Sequence, residues 1–500
     1  MQTGVLVNRA GMPPPWLKWV LCLSVLPGAP ARAMDLFEAY NLGLTNDPQV
    51  RAAEANRNAV QKNKPIGLAG LLPSVVLNMM GQGLQADTGK SQYVNQANTA
   101  EFFAQGSLNL QMVQPLFRYD AWVKYWQADF QLAQAQAQLE SVYQELGVRV
   151  AKAYFDLLYA DDIVEFTQVQ LKSLEQQHDQ VRERLNRGFA TIVDLNETEA
   201  RRDKTAADLL LAEQRQFDAR EGLREIIGIY PENPVRLPDY LPLSAPVPLD
   251  IDKWSDVAQQ GNMAIIAATS ASEVAKQNID YQYAGHLPTL DLQAQQYAFA
   301  NTRDQGAYQV NQQVVGLNLN VPIYLGGGVT ARVEQARDLY EQSLHQVDQQ
   351  RRSAQRLVKD AFRGVTTSMQ RVKALQATLK SARSALEGAQ VGYQVGRRTI
   401  VDVLLQQSLY FQYWADYARS RYDYLLNGLR LRQAAGALVQ SDMDGLNKLL
   451  LGKIHVASAD AGNLPQLSVP KPRYEEPPLF GPDAALAPVQ SPQAAGGVSP

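Results

Sequence analysis

The chain contains one pattern twice, and the two copies agree best over a short run that joins two helical stretches. Gly188-Phe189-Ala190-Thr191-Ile192-Val193-Asp194 is answered by Gly396-Arg397-Arg398-Thr399-Ile400-Val401-Asp402, an offset of 208 residues (396 − 188). Flanking positions keep the register: Arg149, Val150, Lys152 and Phe155 match Arg356, Leu357, Lys359 and Phe362, and Gly228 matches Gly436. Upstream, Ala69 to Pro73 matches Ala284 to Pro288, and Leu108-Asn109-Leu110 matches Leu317-Asn318-Leu319. A drift of a few residues in the offset corresponds to short insertions in surface connections. The period is too long for a solenoid unit, so it predicts a duplicated half-molecule with internal pseudo-symmetry.

The net charge of −3 gives no case for a nucleic-acid partner. After residue 34 no run reaches the roughly 18 continuous apolar residues of a membrane helix, so a bilayer could be crossed only by strands. Residues 1–33 have the form of a signal peptide: Lys18, an apolar core from Trp19 to Leu26, and Ala31-Arg32-Ala33 before a mature start at Met34. The lone Cys22 lies inside that leader, and Leu21 occupies the place where lipidation of Cys22 requires a small residue. The mature chain then has no thiol, hence no disulfide and no cysteine-held metal.

Each half reads as helix, strand, strand, long helix, shorter helix. The first repeat, 34–230, opens with a polar helix from Pro48 to about Ala69. Strands follow at about 73–87 and 104–116, then a long helix at about 118–187 and a return helix at about 191–228. A proline-rich linker, 231–250, leads to the second repeat, 251–437, with strands at about 288–302 and 308–322, a long helix at about 329–395 and a return helix at about 399–437. Residues 438–464 form a C-terminal segment, and the Pro/Ala-rich 465–500 reads as a disordered tail. Leu108, Leu110 and Met112 alternate with Ser107, Asn109 and Gln111, and Leu317 and Leu319 alternate with Asn318 and Asn320. Period-two alternation gives a strand with one apolar and one wet face. The long helices contain no proline, and about 70 residues at 1.5 Å each extend about 105 Å, beyond any compact core.

Four such strands cannot close a barrel, and an open edge in lipid leaves backbone groups unsatisfied at several kcal/mol each. Closure needs several chains. Two chains supply eight strands and a filled interior; three supply twelve and a lumen, with twelve helical columns to match. The fold class expected is an α+β membrane protein: a trimeric twelve-stranded barrel continued by a twelve-helix α-barrel. Phe117, Tyr119, Trp122, Tyr125 and Trp126 cluster just past the second strand, either as an aromatic belt at a membrane interface or as packing between strands and helices.

Several motifs at these spacings resemble the TolC family of outer-membrane exit ducts. They are Val395 to Leu404 with Arg421-Tyr422-Asp423-Tyr424-Leu425, Val321-Pro322-Ile323-Tyr324-Leu325-Gly326-Gly327, and His286 to Leu292. The resemblance covers nearly all of Met34 to about Leu451. It implies a homotrimer in outer-membrane lipid, a long periplasmic α-barrel with a mixed equatorial domain, and two kinds of partner: a periplasmic adaptor (membrane fusion) protein and an inner-membrane ABC or proton-driven transporter.

The two tips carry Gly188 and Thr191, and Gly396, Arg397, Arg398, Thr399 and Asp402. Glycine turns the chain, and Thr and Asp cap the next helix. Beyond capping, the resemblance implies adaptor docking there. An acid precedes each tip glycine by nine residues: Asp179 (188 − 179) and Glu387 (396 − 387). Three copies of each would favour cations near an axis, whereas the plainer reading is solvated helix charge. The resemblance places the acidic ring of the periplasmic gate at Glu387, with Ser384 where a second acid would stand. It matches the tip aspartate of the closing network to Asp194, but Leu375 and Lys380 replace that network's tyrosine and arginine. Gly326-Gly327-Gly328 lacks the Lys-Ser/Thr of a phosphate loop and suits a strand-to-helix bend. The four histidines show no ligand spacing, no cofactor motif is present, and no nucleophile–base cluster suggests an enzyme. The competing class is a secreted soluble coiled-coil scaffold, which needs sustained apolar heptads and no lipid-facing strand side. N-terminal sequencing of the exported protein is expected to start at Met34; a lipid-modified start at Cys22 is the contrary result.

Overall fold

A computed structural model describes residues 34–87, 100–238, 241–302 and 308–451; the leader and the 465–500 tail lie outside the described residues. The order is α1 (Leu36–Asn46), α2 (Pro48–Gln61), α3 (Asn63–Ala69), β1 (Ser74–Asp87), β2 (Ala100–Phe117), α4 (Tyr119–Asn186) and α5 (Ile192–Ile227). Then come α6 (Ile251–Gly261), α7 (Met263–Tyr283), β3 (Thr289–Asn301), β4 (Gln309–Asn320), α8 (Gly328–Gln394), α9 (Ile400–Ala434) and α10 (Gln440–Leu450). Three details differ from the sequence expectation, the first being that β2 starts at Ala100 rather than at about 104. The opening helix breaks at Lys62, because Pro65 has no N–H for the Gln61 carbonyl and its ring crowds that turn. Short helices α1 and α6 also precede the opening helix of each half, capped by Asp35 and Asp250.

Helices α4 and α8, of 68 and 67 residues, form the two tallest columns. Along α4 run α2 and α3 near the strands and α5 near the opposite end; α7 and α9 succeed one another in the same way along α8, and both also touch α4. The shorter helices meet end to end. Asn46 donates through Nδ2 to the Ile227 carbonyl at 2.8 Å, joining the end of α5 to the start of α2. Asn262 donates to the Ala434 carbonyl at 2.9 Å and accepts from the Ala264 amide at 3.0 Å, so one side chain caps both α9 and α7. Each joint sets the carbonyl end of one helix against the amide end of another, the favourable arrangement of helix dipoles. Asp47 caps α2 through one carboxylate oxygen, and the other lies 2.8 Å from Arg149 as an ion contact without hydrogen-bond alignment.

The main core sits where these joints cross the long helices. Leu36, Tyr40, Leu146, Tyr154, Leu158, Leu223, Leu425 and Met443 pack there, so α10 and the linker are held by the same cluster. The Tyr154 hydroxyl lies 3.1 and 3.0 Å from the Met34 and Val235 carbonyls, its one proton serving either. The Tyr424 hydroxyl accepts from the Ser244 amide at 3.0 Å and donates to the Ser244 carbonyl at 2.9 Å. Burial pushes the Tyr154 and Tyr422 hydroxyls well above the ordinary phenol range, and Tyr422 donates to Asp162 at 2.7 Å.

The sheet is antiparallel in the order β1-β2-β3-β4 and has no core of its own. Its register puts Val75, Met112, Ala294 and Val315 side by side on one face, with Leu77 beside Leu110, and Leu292 beside Leu317. The other face is mostly polar: one row is Asn78, Asn109, Tyr297 and Gln312, the next is Val76, Gln111, Gln295 and Val314, and Asp291 pairs with Asn318 nearer the helices. Gln295 donates to Asn109 at 2.9 Å, and Arg118 grips Asp291 with two bonds of 3.0 and 2.7 Å where the sheet meets α4. From β4 the chain turns into α8 through Gly326 and Gly327, at φ +62° and +76°, a conformation open to glycine.

The joints supply a test. A Cβ added at Gly436 would lie 2.1 Å from the Gly261 carbonyl oxygen, at φ +70°, whereas one at Gly188 would meet nothing within 4 Å. Gly188→Ala is expected to cost only the left-handed backbone penalty, about 1–2 kcal/mol. Gly436→Ala should cost several times that in denaturant unfolding, and equal costs would dismiss the joint as a constraint.

Candidate functional site

The end farthest from the strands is built from two helical turns with the same local chemistry. At the first, Thr191 accepts from the Asp194 amide at 3.2 Å while Asp194 accepts from the Thr191 amide at 2.9 Å. At the second, Thr399 and Asp402 repeat the exchange at 3.2 and 3.0 Å. These reciprocal caps satisfy amides that a helix start leaves free. Gly188 and Gly396, at φ +81° and +72°, make the turns possible. Hydrogen bonds from Thr399, backbone first, hold the Asp402 carboxyl below its usual range.

Above the caps the tips differ. Ile192 is 58% exposed and stands with Phe189 and Val193 as an apolar cluster in solvent. Ile400, its counterpart, is 1% exposed and packs with Leu174, Val181 and Leu404, tying α9 to α4. The second tip instead exposes Arg397 and Arg398, whose amides both donate to the Gly392 carbonyl, at 2.8 and 3.1 Å. Arg184 lies over the Tyr393 ring at 4.7 Å, so the ends of the two long helices also touch. The matching Thr-Ile-Val-Asp runs concealed this difference, since burial of one isoleucine depends on a neighbouring helix.

The acids lie on the exposed flanks of the long helices. Asp179 is 79% exposed, 3.4 Å from Nδ1 of the buried His178. Glu387 is 62% exposed and pairs with Arg383, one turn earlier, at 3.1 Å. Lys380, Ser384 and Glu387 fall at i, i+4 and i+7 on α8, hence along one stripe, and all three are exposed. Leu375 is half-buried. At the other end of α4, Trp122 and Trp126 are half-exposed and in ring contact at 5.9 Å, with Tyr125 edge-on to Trp122. Ile323 and Tyr324, in the β4–α8 turn, are almost wholly exposed, a patch that the motif alone did not flag.

Among the described residues no group of His, Cys, Asp or Glu could hold a metal, and no helix is long and apolar enough to cross a membrane.

Known proteins resemble this chain in sequence and fold. The chain matches the family described as outer membrane efflux protein over residues 39–229 and 254–437. It is 31% identical to the outer membrane protein TolC of Vibrio cholerae over 83% of this chain and 93% of that protein. It is 29% identical to the proteases secretion protein PrtF of Dickeya chrysanthemi, over 84% of this chain and 91% of that one. Among solved structures, CusC superposes with a TM-score of 0.68 at 19% identity, covering 83% of this chain and 96% of that chain, a likeness of fold.

Two outcomes follow from the caps. Thr191→Ala should weaken the first turn of α5 by about 1 kcal/mol, seen as faster amide exchange confined to that turn. The Asp402 carboxyl, with its lowered folded pKa, supports the second cap above the unfolded value of roughly 3.9 and loses that support as pH falls through the lower folded value. Exchange at the α9 start should therefore stay slow from neutral to mildly acidic pH and rise only in stronger acid.

Proposed function

Because the chain belongs to the outer membrane efflux protein family, we propose that three copies close their sheets into one twelve-stranded barrel and their helices into one periplasmic tube. The protein is an outer-membrane channel of a tripartite export system, with a helical extension into the periplasm. One observation carries the trimeric reading: a four-stranded sheet with two free edges, an apolar face, an amide-lined face and no core. In lipid those edges must be paired, and pairing β4 of one copy with β1 of the next satisfies them. The apolar face then meets lipid, the Asn/Gln face lines water, and Trp122 and Trp126 lie at the inner interface.

The two kinds of tip form the docking end for a periplasmic adaptor protein, which couples the duct to an inner-membrane transporter. Residues 34–230 and 251–437 act as equivalent units around the tube, and 231–250 links them. Cargo is protein, small toxic compounds, or both; the likeness to a protein named for protease secretion supports the first. Glu387, with Asp179, Asp194, Ser384 and Lys380, belongs to the aperture at the narrow end. A soluble scaffold is disfavoured by the exposed strand leucines and valines, for which water offers no stabilisation.

Crosslinking of the detergent-purified protein should trap a species of three chains; a monomer without channel activity in planar bilayers removes the reading. Glu387→Ala deletes one carboxylate per copy and leaves Arg383 unpaired. Cation selectivity and block by multivalent cations should both fall, by roughly severalfold, given like charges gathered near an axis. Unchanged block and selectivity would take Glu387 out of the aperture.

A further inference from the structure

The wet face of the sheet is wet only in part. Near the helices it carries Asp291, Asn318, Gln111 and Asn109 with Val76 and Val314 between them, and farther along the same register it gains aromatic rings. Met80 pairs through Ser107 to Phe299 and Val310, all on the side that holds Asn109 and opposite to Leu108 and Leu110. Tyr297 lies on this side too, next to Asn109, and its ring is 6.4 Å from Phe299 and nearly parallel to it. The Phe299 ring is 5.5 Å from that of Tyr308, which precedes β4. Phe299 stands ten residues beyond Thr289, about 33 Å along the strand, at the end remote from the helices.

An aromatic girdle that anchors a barrel in lipid must point outward. These rings point the other way, and the lipid-facing side has its own ring in the exposed Phe102, five residues farther out along β2 than Ser107. Stability of the sheet does not require them there, since both strands are already paired and the rings remain partly open to solvent.

We propose that Tyr297, Phe299, Tyr308 and Met80 form an aromatic collar at the outer mouth of the duct that binds organic cations bearing aromatic rings as they leave. The collar rests on the closed-barrel reading above. Ring faces attract cations and stack on flat apolar bodies, at about 0.5–2 kcal/mol per ring. The wall beside them adds Ser107, Asn109 and Gln312, neutral groups with oxygen acceptors. Among the described residues of that face, Asp291 is charged and already neutralised by Arg118, so nothing there repels a cation. Such a collar gives exiting aromatic cargo a last holding point that a small hydrophilic ion passes without pause.

The test uses the full-length protein in planar bilayers, with tetraphenylphosphonium or tetramethylammonium added on the strand side. Tetraphenylphosphonium should reduce conductance with shallow voltage dependence, since the collar lies near that mouth, and tetramethylammonium at equal concentration should not. Phe299→Ala should raise the blocking concentration roughly tenfold, the equivalent of about 1.4 kcal/mol of lost ring contact. Phe299→Tyr should restore block, and Leu110→Ala on the opposite face should leave it unchanged. Equal block by the two cations, or block untouched by Phe299→Ala, overturns the collar. If Phe299→Ala gives no channels, Tyr297→Ser and Met80→Ser decide the question by the same criterion. Absence of channels in the wild-type protein would instead remove the barrel itself.

Discussion

The free edges of one small sheet govern the molecule. A strand in lipid has no water to take up its amides and carbonyls, and each unpaired group costs several kcal/mol. Strands β1 and β4 each have a partner on one side only, and neither face of the sheet is covered by the rest of the chain. Hydrophobic burial therefore does not hold this sheet in place within one copy; its ladder and the Arg118–Asp291 clamp at its base do. The proposed threefold closure follows from this deficit, and the same closure gives the exposed leucines and phenylalanine of α5 a neighbouring surface to cover them.

Below the sheet the problem changes from closure to height. Each long helix needs a companion of equal length, yet the chain must also return to the sheet and cross between halves. The solution is a split column: α5 continued by α2, and α9 continued by α7. Splitting exposes four helix ends, and Asn46, Asp47, Asn262, Gly228 and Gly436 satisfy or fit them within the main core. That core gathers α1, α6, α10 and the linker around the joints, which explains why the largest apolar cluster lies midway along the helices.

Much of this was legible in the chain because the signals are local. The absence of proline across residues 119–186 and 328–394 leaves a helix nothing to stop it, and alternation from Leu108 to Met112 marks a strand. What escaped depends on neighbours. Helices α1 and α6 are each 11 residues long, too short to announce themselves by periodicity, and they exist through burial of Leu36, Tyr40 and Ala258. The aromatic turn of the wet face was missed because alternation was weighed at the helix-proximal end of β3, where Asp291 and Gln293 are polar. Tyr297 and Phe299 occupy the same parity farther out, and only the register shows which side they share.

The two tips share one cap and differ in what they expose. The caps are kept in both copies because the physical demand is identical: a reversing chain needs a left-handed residue, and a new helix needs its first amides satisfied. Nothing in that demand fixes the residues pointing outward. Where α9 lies against α4, Ile400 is buried, and its tip exposes Arg397 and Arg398. Ile192 has no such neighbour and stays in solvent with Phe189 and Val193. In the proposed trimer, apolar and basic tips would alternate, and a ligand gripping that end would be read by two chemistries in turn. A partner matching only one kind of tip would seat at three of that trimer's six, and the unlike tips would then discriminate between partners.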